Sequence, residues 1–117
     1  MQDFKKLLVW QKAHELALHT YRITADFPKE ELFGLRNTLR KTSIYIPGLI
    51  AEGSARENNF EFSKAIANSI ALANRMEYYV LVARDLERLG EQVQSEYADR
   101  IIEVRKMLSG FNQRLAP

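Results

Sequence analysis

The chain contains no cysteine. That excludes a disulfide framework, a thiolate metal centre and a thiol nucleophile. Glycine is sparse, with five residues at 34, 48, 53, 90 and 110 and no two close together. No glycine-rich loop can therefore cradle a phosphate, and no G-x-S-x-G elbow is present. No apolar run approaches the roughly 18 residues that would span a bilayer. The opening stretch MQDFKKLLVWQKAHEL has only LLVW as an apolar core before charges return, which is not the layout of a secretory leader. The expectation is a cytoplasmic protein. Charge of neither sign dominates: 17 basic and 15 acidic side chains give a formal net charge of +2. Such a mild excess is not the signature of a basic arm dedicated to nucleic acid. It is concentrated in the first half, because residues 1–56 carry 9 basic and 6 acidic side chains and residues 57–117 carry 8 and 9.

Histidine is also scarce. His14 and His19 are five apart, which turns their rings about 140° from each other on a helix. A zinc helix of the H-E-x-x-H kind needs a spacing of four. The Glu-x-x-His slot of a di-iron bundle reads Gln11-x-x-His14 here, and glutamine lacks the charge. Glu52 and Glu57 are five apart and do not face each other, whereas Glu52 and Arg56 at four apart suit a helix salt bridge. The sequence thus predicts no metal, no cofactor and no enzyme activity.

What is present is helical periodicity. At 117 residues the chain is long enough for one domain with a core, over 1–117. The first helix is predicted from about Asp3, as N-cap, to about Asp26. It holds more apolar residues than one bundle groove needs, which points to a second contact, such as another subunit. Phe27-Pro28 stops it. The second helix occupies the stretch Phe33 to Gly53, with Leu35, Leu39, Ile46 and Ile50 on one side. Pro47 falls inside it. The apolar pattern resumes beyond, so a kinked helix is expected rather than a stop. Asn58 with Glu61 resembles a capping box at the start of a third helix, from about Phe60 to Leu89, with Gly90 as its stop. The fourth, about Glu91 to Leu115, repeats Val93, Tyr97, Ile101, Val104, Leu108, Phe111 and Leu115 at near-heptad steps. No strand alternation or internal repeat appears. Four long helices with short links predict an all-α, up-down-up-down antiparallel four-helix bundle, with helix 2 kinked at Pro47.

Arg36 and Arg40 are four apart and share a helix face off the apolar stripe, and Lys41 lies about 100° further round. Guanidinium and ammonium groups so placed suit phosphate contacts. Arg56 and the Lys5, Lys6 and Lys12 edge are candidate extensions. The alternative for this face is simple solvation, or ion pairs to a neighbouring helix.

Several motifs occur in a fixed order: Asp3-Phe4, Val9-Trp10-Gln11-Lys12-Ala13, Thr24 with Phe27-Pro28, Phe33-Gly34-Leu35, Leu39-Arg40-Lys41, Ile46-Pro47, Ile50-Ala51-Glu52-Gly53, then Arg56 and Glu61-Phe62. As an ordered set over roughly residues 3–90 they resemble the family of four-helix-bundle proteins encoded in intervening sequences of bacterial 23S ribosomal RNA genes. The chain departs from that pattern at Thr38, Leu49, Ala71-Leu72 and Arg75-Met76, where polar groups of the family are replaced or lost. The resemblance implies a homopentameric ring of bundles and a poorly defined function. It also implies kinship with the accessory variability determinant of diversity-generating retroelements, a pentameric bundle that binds RNA and a reverse transcriptase. Two functions are therefore expected. One is a non-enzymatic oligomer binding RNA or a ribonucleoprotein through Arg36, Arg40, Lys41 and Arg56. The other is a protein-interaction scaffold without nucleic-acid binding.

Overall fold

The structure is a computed structural model and describes residues 3–115. Four helices carry the fold: α1 Leu8–Thr24, α2 Leu35–Ser54, α3 Asn59–Asp85 and α4 Glu91–Leu115. No strand occurs among the described residues. Consecutive helices pack against one another and α1 closes onto α4, giving a four-helix bundle with principal extents of 44 × 21 × 20 Å.

The core follows from the spacing of the apolar residues. Val9, Ala13, Leu16 and Ala17 face it from α1, and Leu39, Ile46 and Ile50 from α2. Phe62, Ile66, Ala73, Met76, Val80 and Ala83 face it from α3, with Tyr97, Ile101, Val104 and Leu108 from α4. The predicted α4 seam holds at its centre and shifts at its start, where Gln94 is buried and Val93 is exposed. α2 runs without interruption across Pro47, as the resumed periodicity requires. Proline offers the Ser43 carbonyl no N–H, and the Ser43 hydroxyl donates to the Arg40 carbonyl at 2.8 Å. Near the end of α2, Gly53 meets α3. A Cβ there would lie 2.8 Å from both Ala65 Cβ and Phe62 Cδ1, so only glycine allows this approach.

Two helix ends differ from expectation. Asp3 does cap, since its Oδ1 accepts from the Lys5 N–H at 3.1 Å. The element it caps is a separate 3-10 turn, Phe4–Lys6, and extended backbone at Leu7 divides that turn from α1. α3 stops at Asp85 rather than Leu89, and Gly90 is not its left-handed residue. Glu87 is, with φ 58°. The Arg88 N–H bonds the Ala83 carbonyl at 2.8 Å and the Glu87 N–H the Arg84 carbonyl at 2.9 Å. This pair is a Schellman closure, executed without its usual glycine. Asn58 behaves as its spacing predicts, accepting from the Glu61 N–H at 2.9 Å.

A run of buried polar groups crosses the bundle. Thr20 and Thr24 are fully buried on α1. The Thr20 hydroxyl donates to the Leu16 carbonyl at 2.9 Å and meets Tyr97 OH at 2.6 Å. With the Thr20 proton committed to Leu16, Tyr97 is the donor to Thr20. Thr24 in turn donates to the Thr20 carbonyl at 2.8 Å and accepts from Arg40 Nε at 2.8 Å. Burial pushes the Tyr97 phenol well above its ordinary pKa, so it stays a protonated donor.

Candidate nucleic-acid interface

The polar run fixes Arg40. Besides Thr24, its guanidinium donates from Nη2 to the Tyr21 carbonyl at 3.1 Å and sits 4.5 Å from the Tyr21 ring centroid. Two of its five N–H groups are thus occupied, and the rest stay free to meet a further acceptor. Spacing alone could not reveal this tie, because Thr24 and Arg40 are 16 residues apart.

Arg36 stands one turn earlier on α2 and is half-buried. Its Nε is enclosed and has no hydrogen-bond partner among the described residues. Lys41 is exposed. None of Arg36, Arg40 and Lys41 forms an ion pair with a carboxylate among the described residues. All three stand on the first two turns of α2. The bundle does not bring Arg56 to them. Arg56 lies 16 residues beyond Arg40, about 24 Å along the helix direction, and pairs with Glu52 at 3.1 Å. That i,i+4 pair is the one its spacing predicts. Both partners are more than half exposed, so it contributes little to stability.

A family model described as 23S rRNA-intervening sequence protein matches residues 5–110. The chain belongs to this family. A search among curated proteins returned no match. The matched span of this 23S rRNA-intervening sequence protein includes α1 to α3 whole and all four candidate basic residues.

The basic end of α2 adjoins an apolar surface. Between α1 and α2 runs a groove of about 290 Å³, lined by Trp10, His14, Leu18, Tyr21, Ile44 and Gly48 among others. Trp10 and His14 stack on its wall at 5.0 Å, nearly parallel at 6°. Between α2 and α3 a second groove of about 240 Å³ is lined by Tyr45, Gly48, Leu49, Leu72 and Glu52. Gly48 belongs to both, and a Cβ there would touch nothing within 4 Å. Ile44 and Tyr45 form the ridge between the grooves, and Tyr45 is 54 % exposed. Single exposed apolar residues are ordinary, but a contiguous patch with paired grooves marks a contact surface. The excess apolar residues of the first helix reach this face as Leu18 and Tyr21.

No group of three or more His, Cys, Asp or Glu gathers to hold a metal ion among the described residues. Nor is any described helix long and apolar enough to cross a membrane.

Proposed function

We propose that this 23S rRNA-intervening sequence protein is a non-enzymatic homo-oligomer that binds structured RNA through the basic end of α2. The observation that carries the reading is that Arg36, Arg40 and Lys41, beside an apolar face, have no carboxylate partner among the described residues. Phosphate contacts need field and donors rather than base-reading side chains. Arg36 supplies a half-buried guanidinium on the same helix, and Lys41 supplies an exposed ammonium. Arg40 supplies a braced guanidinium with donors to spare. Arg56, just beyond the far end of α2 and paired with Glu52, would be met only by a longer ligand.

The apolar face is the surface we assign to a second copy. The Ile44–Tyr45 ridge lies between two grooves that share Gly48, so ridge and groove exist on the same molecule. A ridge entering the groove of the next copy buries this face, and a ring requires that contact to be head-to-tail rather than two-fold. The family resemblance points to a ring of five. Symmetry would then repeat the cationic cluster around the ring and raise the local potential beyond what a net charge of +2 suggests.

Two measurements test this. Light scattering should give a mass several times 13.6 kDa, and Gly48→Arg should reduce it to one chain. Anisotropy of a labelled RNA hairpin should show binding that weakens steeply with salt. The double variant Arg36→Gln, Lys41→Gln should weaken that binding at unchanged mass. Arg40 is left intact because its loss would also remove the Thr24 contact. Hairpin binding that ignores salt or the double variant would refute the RNA reading. The exposed α1–α2 face would then favour the protein scaffold.

A further inference from the structure

A groove lies between the start of α1 and the end of α4. It has a volume of about 480 Å³ and is lined by nine residues. Its floor is apolar and includes Leu8, Met107 and Phe111. Among the described residues its charged side chains are Lys6, Lys106 and Arg114, with no carboxylate in the lining. None of these three cations forms an ion pair among the described residues.

The arrangement follows from helix geometry. Lys106, Gly110 and Arg114 step by four along α4 and so share a face, with the two cations about 12 Å apart along the axis. Gly110 between them carries no side chain. The nearest atom to a Cβ built there is Arg114 Nη1 at 3.7 Å, so the space over Gly110 is open. Phe111 beside it is held edge-to-face against Phe62 at 5.4 Å, and the Arg114 guanidinium lies 5.9 Å from its ring centroid. An aromatic ring, a guanidinium and two ammonium groups thus surround one open, apolar-floored slot.

The same α1–α4 face changes sign along its length. A neighbouring groove between these helices is lined by Glu15, Glu96, Asp99 and Glu103, against only Lys12 and Arg100. A polyanion is repelled from the middle of this face and drawn to its end.

We infer that this groove holds an unpaired nucleotide of single-stranded RNA. The base packs on Leu8, Met107 and Phe111, and flanking phosphates meet Lys6, Lys106 and Arg114. Apolar and aromatic surface combined with cations is what grips single strands without reading them. Among the described residues no Asn, Gln, Ser, Thr, Asp or Glu lines the groove, and with its cations engaged on phosphates the site is tolerant of base identity. The inference deepens the RNA-binding reading and rests on it for the class of ligand. It adds an unpaired segment to the duplex held by α2.

The test uses anisotropy with two labelled probes, a ten-nucleotide adenosine strand and a hairpin whose paired stem is closed by a non-nucleotide linker. Gly110→Leu fills the groove with a residue suited to helices, and Lys106→Gln, Arg114→Gln removes two cations without adding bulk. Each variant should bind the single strand roughly tenfold more weakly, with hairpin binding unchanged. An abasic strand of equal charge should bind the parent more weakly than the adenosine strand. The inference is overturned if folded Gly110→Leu, checked by circular dichroism, binds the single strand as the parent does. It is overturned equally if the abasic strand binds as well as the adenosine strand. Phosphatidylglycerol vesicles that bind the parent but not Gly110→Leu, with the single strand unaffected, would assign the groove to lipid instead. A parent that binds the hairpin but not the single strand refutes this groove alone. A parent that binds only the single strand refutes the α2 reading alone.

Discussion

Arg88 donates from Nε to Glu31 Oε2 at 2.9 Å, across 57 residues of chain. The contact ties the α3–α4 link to the α1–α2 link at one end of the bundle. Glu31 has a second duty, accepting the Leu35 N–H on Oε1 at 3.2 Å, where the first turn of α2 lacks an internal partner. Arg88 reaches it because the Schellman closure at Glu87 turns the chain back there. Both side chains are mostly shielded, at 30 % and 14 % exposure. The pair therefore counts for more than a surface bridge.

Glu31→Gln should lower stability by about 1–2 kcal/mol, since the charge-assisted bond to Arg88 weakens. The Arg88 bond, then the Leu35 N–H, hold the Glu31 carboxyl below its ordinary value of 4.5. Below that pH the unfolded chain takes up the proton first. This contribution is present above about pH 4.5 and is lost as pH falls through the depressed folded value. Urea unfolding of the parent should show that acid loss, and Glu31→Gln should lack it.

His19 sets a second pH window. Burial lowers its pKa from 6.5, Arg100 and Arg22 lower it further, and Glu96 opposes them. The unfolded chain therefore binds this proton more readily, so stability should fall as pH drops below about 6.5. His19→Phe keeps a ring edge against Tyr97, which the imidazole meets at 5.6 Å. It also removes Nε2, a buried atom without a hydrogen-bond partner among the described residues. Unfolding free energy measured from pH 5 to 7 should lose its slope in this variant.

Glu87→Gly should raise the melting temperature. A side chain at φ 58° costs on the order of 1 kcal/mol relative to glycine. The Schellman bonds use only backbone and remain. The expected gain is roughly 4 °C, read by calorimetry.

Gly53→Ala should do the opposite. Alanine favours a helix over glycine by up to about 1 kcal/mol. Here its Cβ would lie 2.8 Å from Ala65 and Phe62, and overpacking of that kind costs about 1–3 kcal/mol. Thermal unfolding should show a net loss, and Phe62→Leu should partly rescue it.

Much of this was legible in the spacing of apolar residues. Leu39, Ile46 and Ile50 on α2 and Tyr97, Ile101, Val104 and Leu108 on α4 lie buried where a period near 3.6 puts them. That signal is local and repeats along each helix. The α3 terminus was not legible, because Glu87 supplies its left-handed turn and nothing in that side chain announces a positive φ. The buried Ser69 was missed for a similar reason. Its hydroxyl donates to the Ile46 carbonyl at 3.2 Å, 23 residues away, and only the fold reveals that partner. Of the candidate site, Arg36, Arg40 and Lys41 were found from periodicity, and the Glu52–Arg56 pair from its spacing of four. The commitment of Arg40 to Thr24 and Tyr21 was not, since it depends on how α1 docks on α2. The groove over Gly110 was likewise hidden, because it joins the two ends of the chain.

The buried threonines bear on how the helices slide. Thr20 and Thr24 are one turn apart on α1, so a slip of about 5.4 Å would bring Thr24 opposite Tyr97 and still give the phenol an acceptor. Apolar packing opposes such a slip, since it would put Tyr21 at the site of buried Ala17, but the hydroxyl contact to Tyr97 by itself would not. Arg40 breaks the degeneracy. After the slip its Nε would face the space one turn past Thr24, where Pro28 carries no side-chain hydroxyl. One hydroxyl would satisfy either alignment, whereas two hydroxyls read by partners on different helices satisfy only one. The Tyr97–Thr20–Thr24–Arg40 series thus works as a two-tooth key, choosing the register of α1 against α4 and α2 at once.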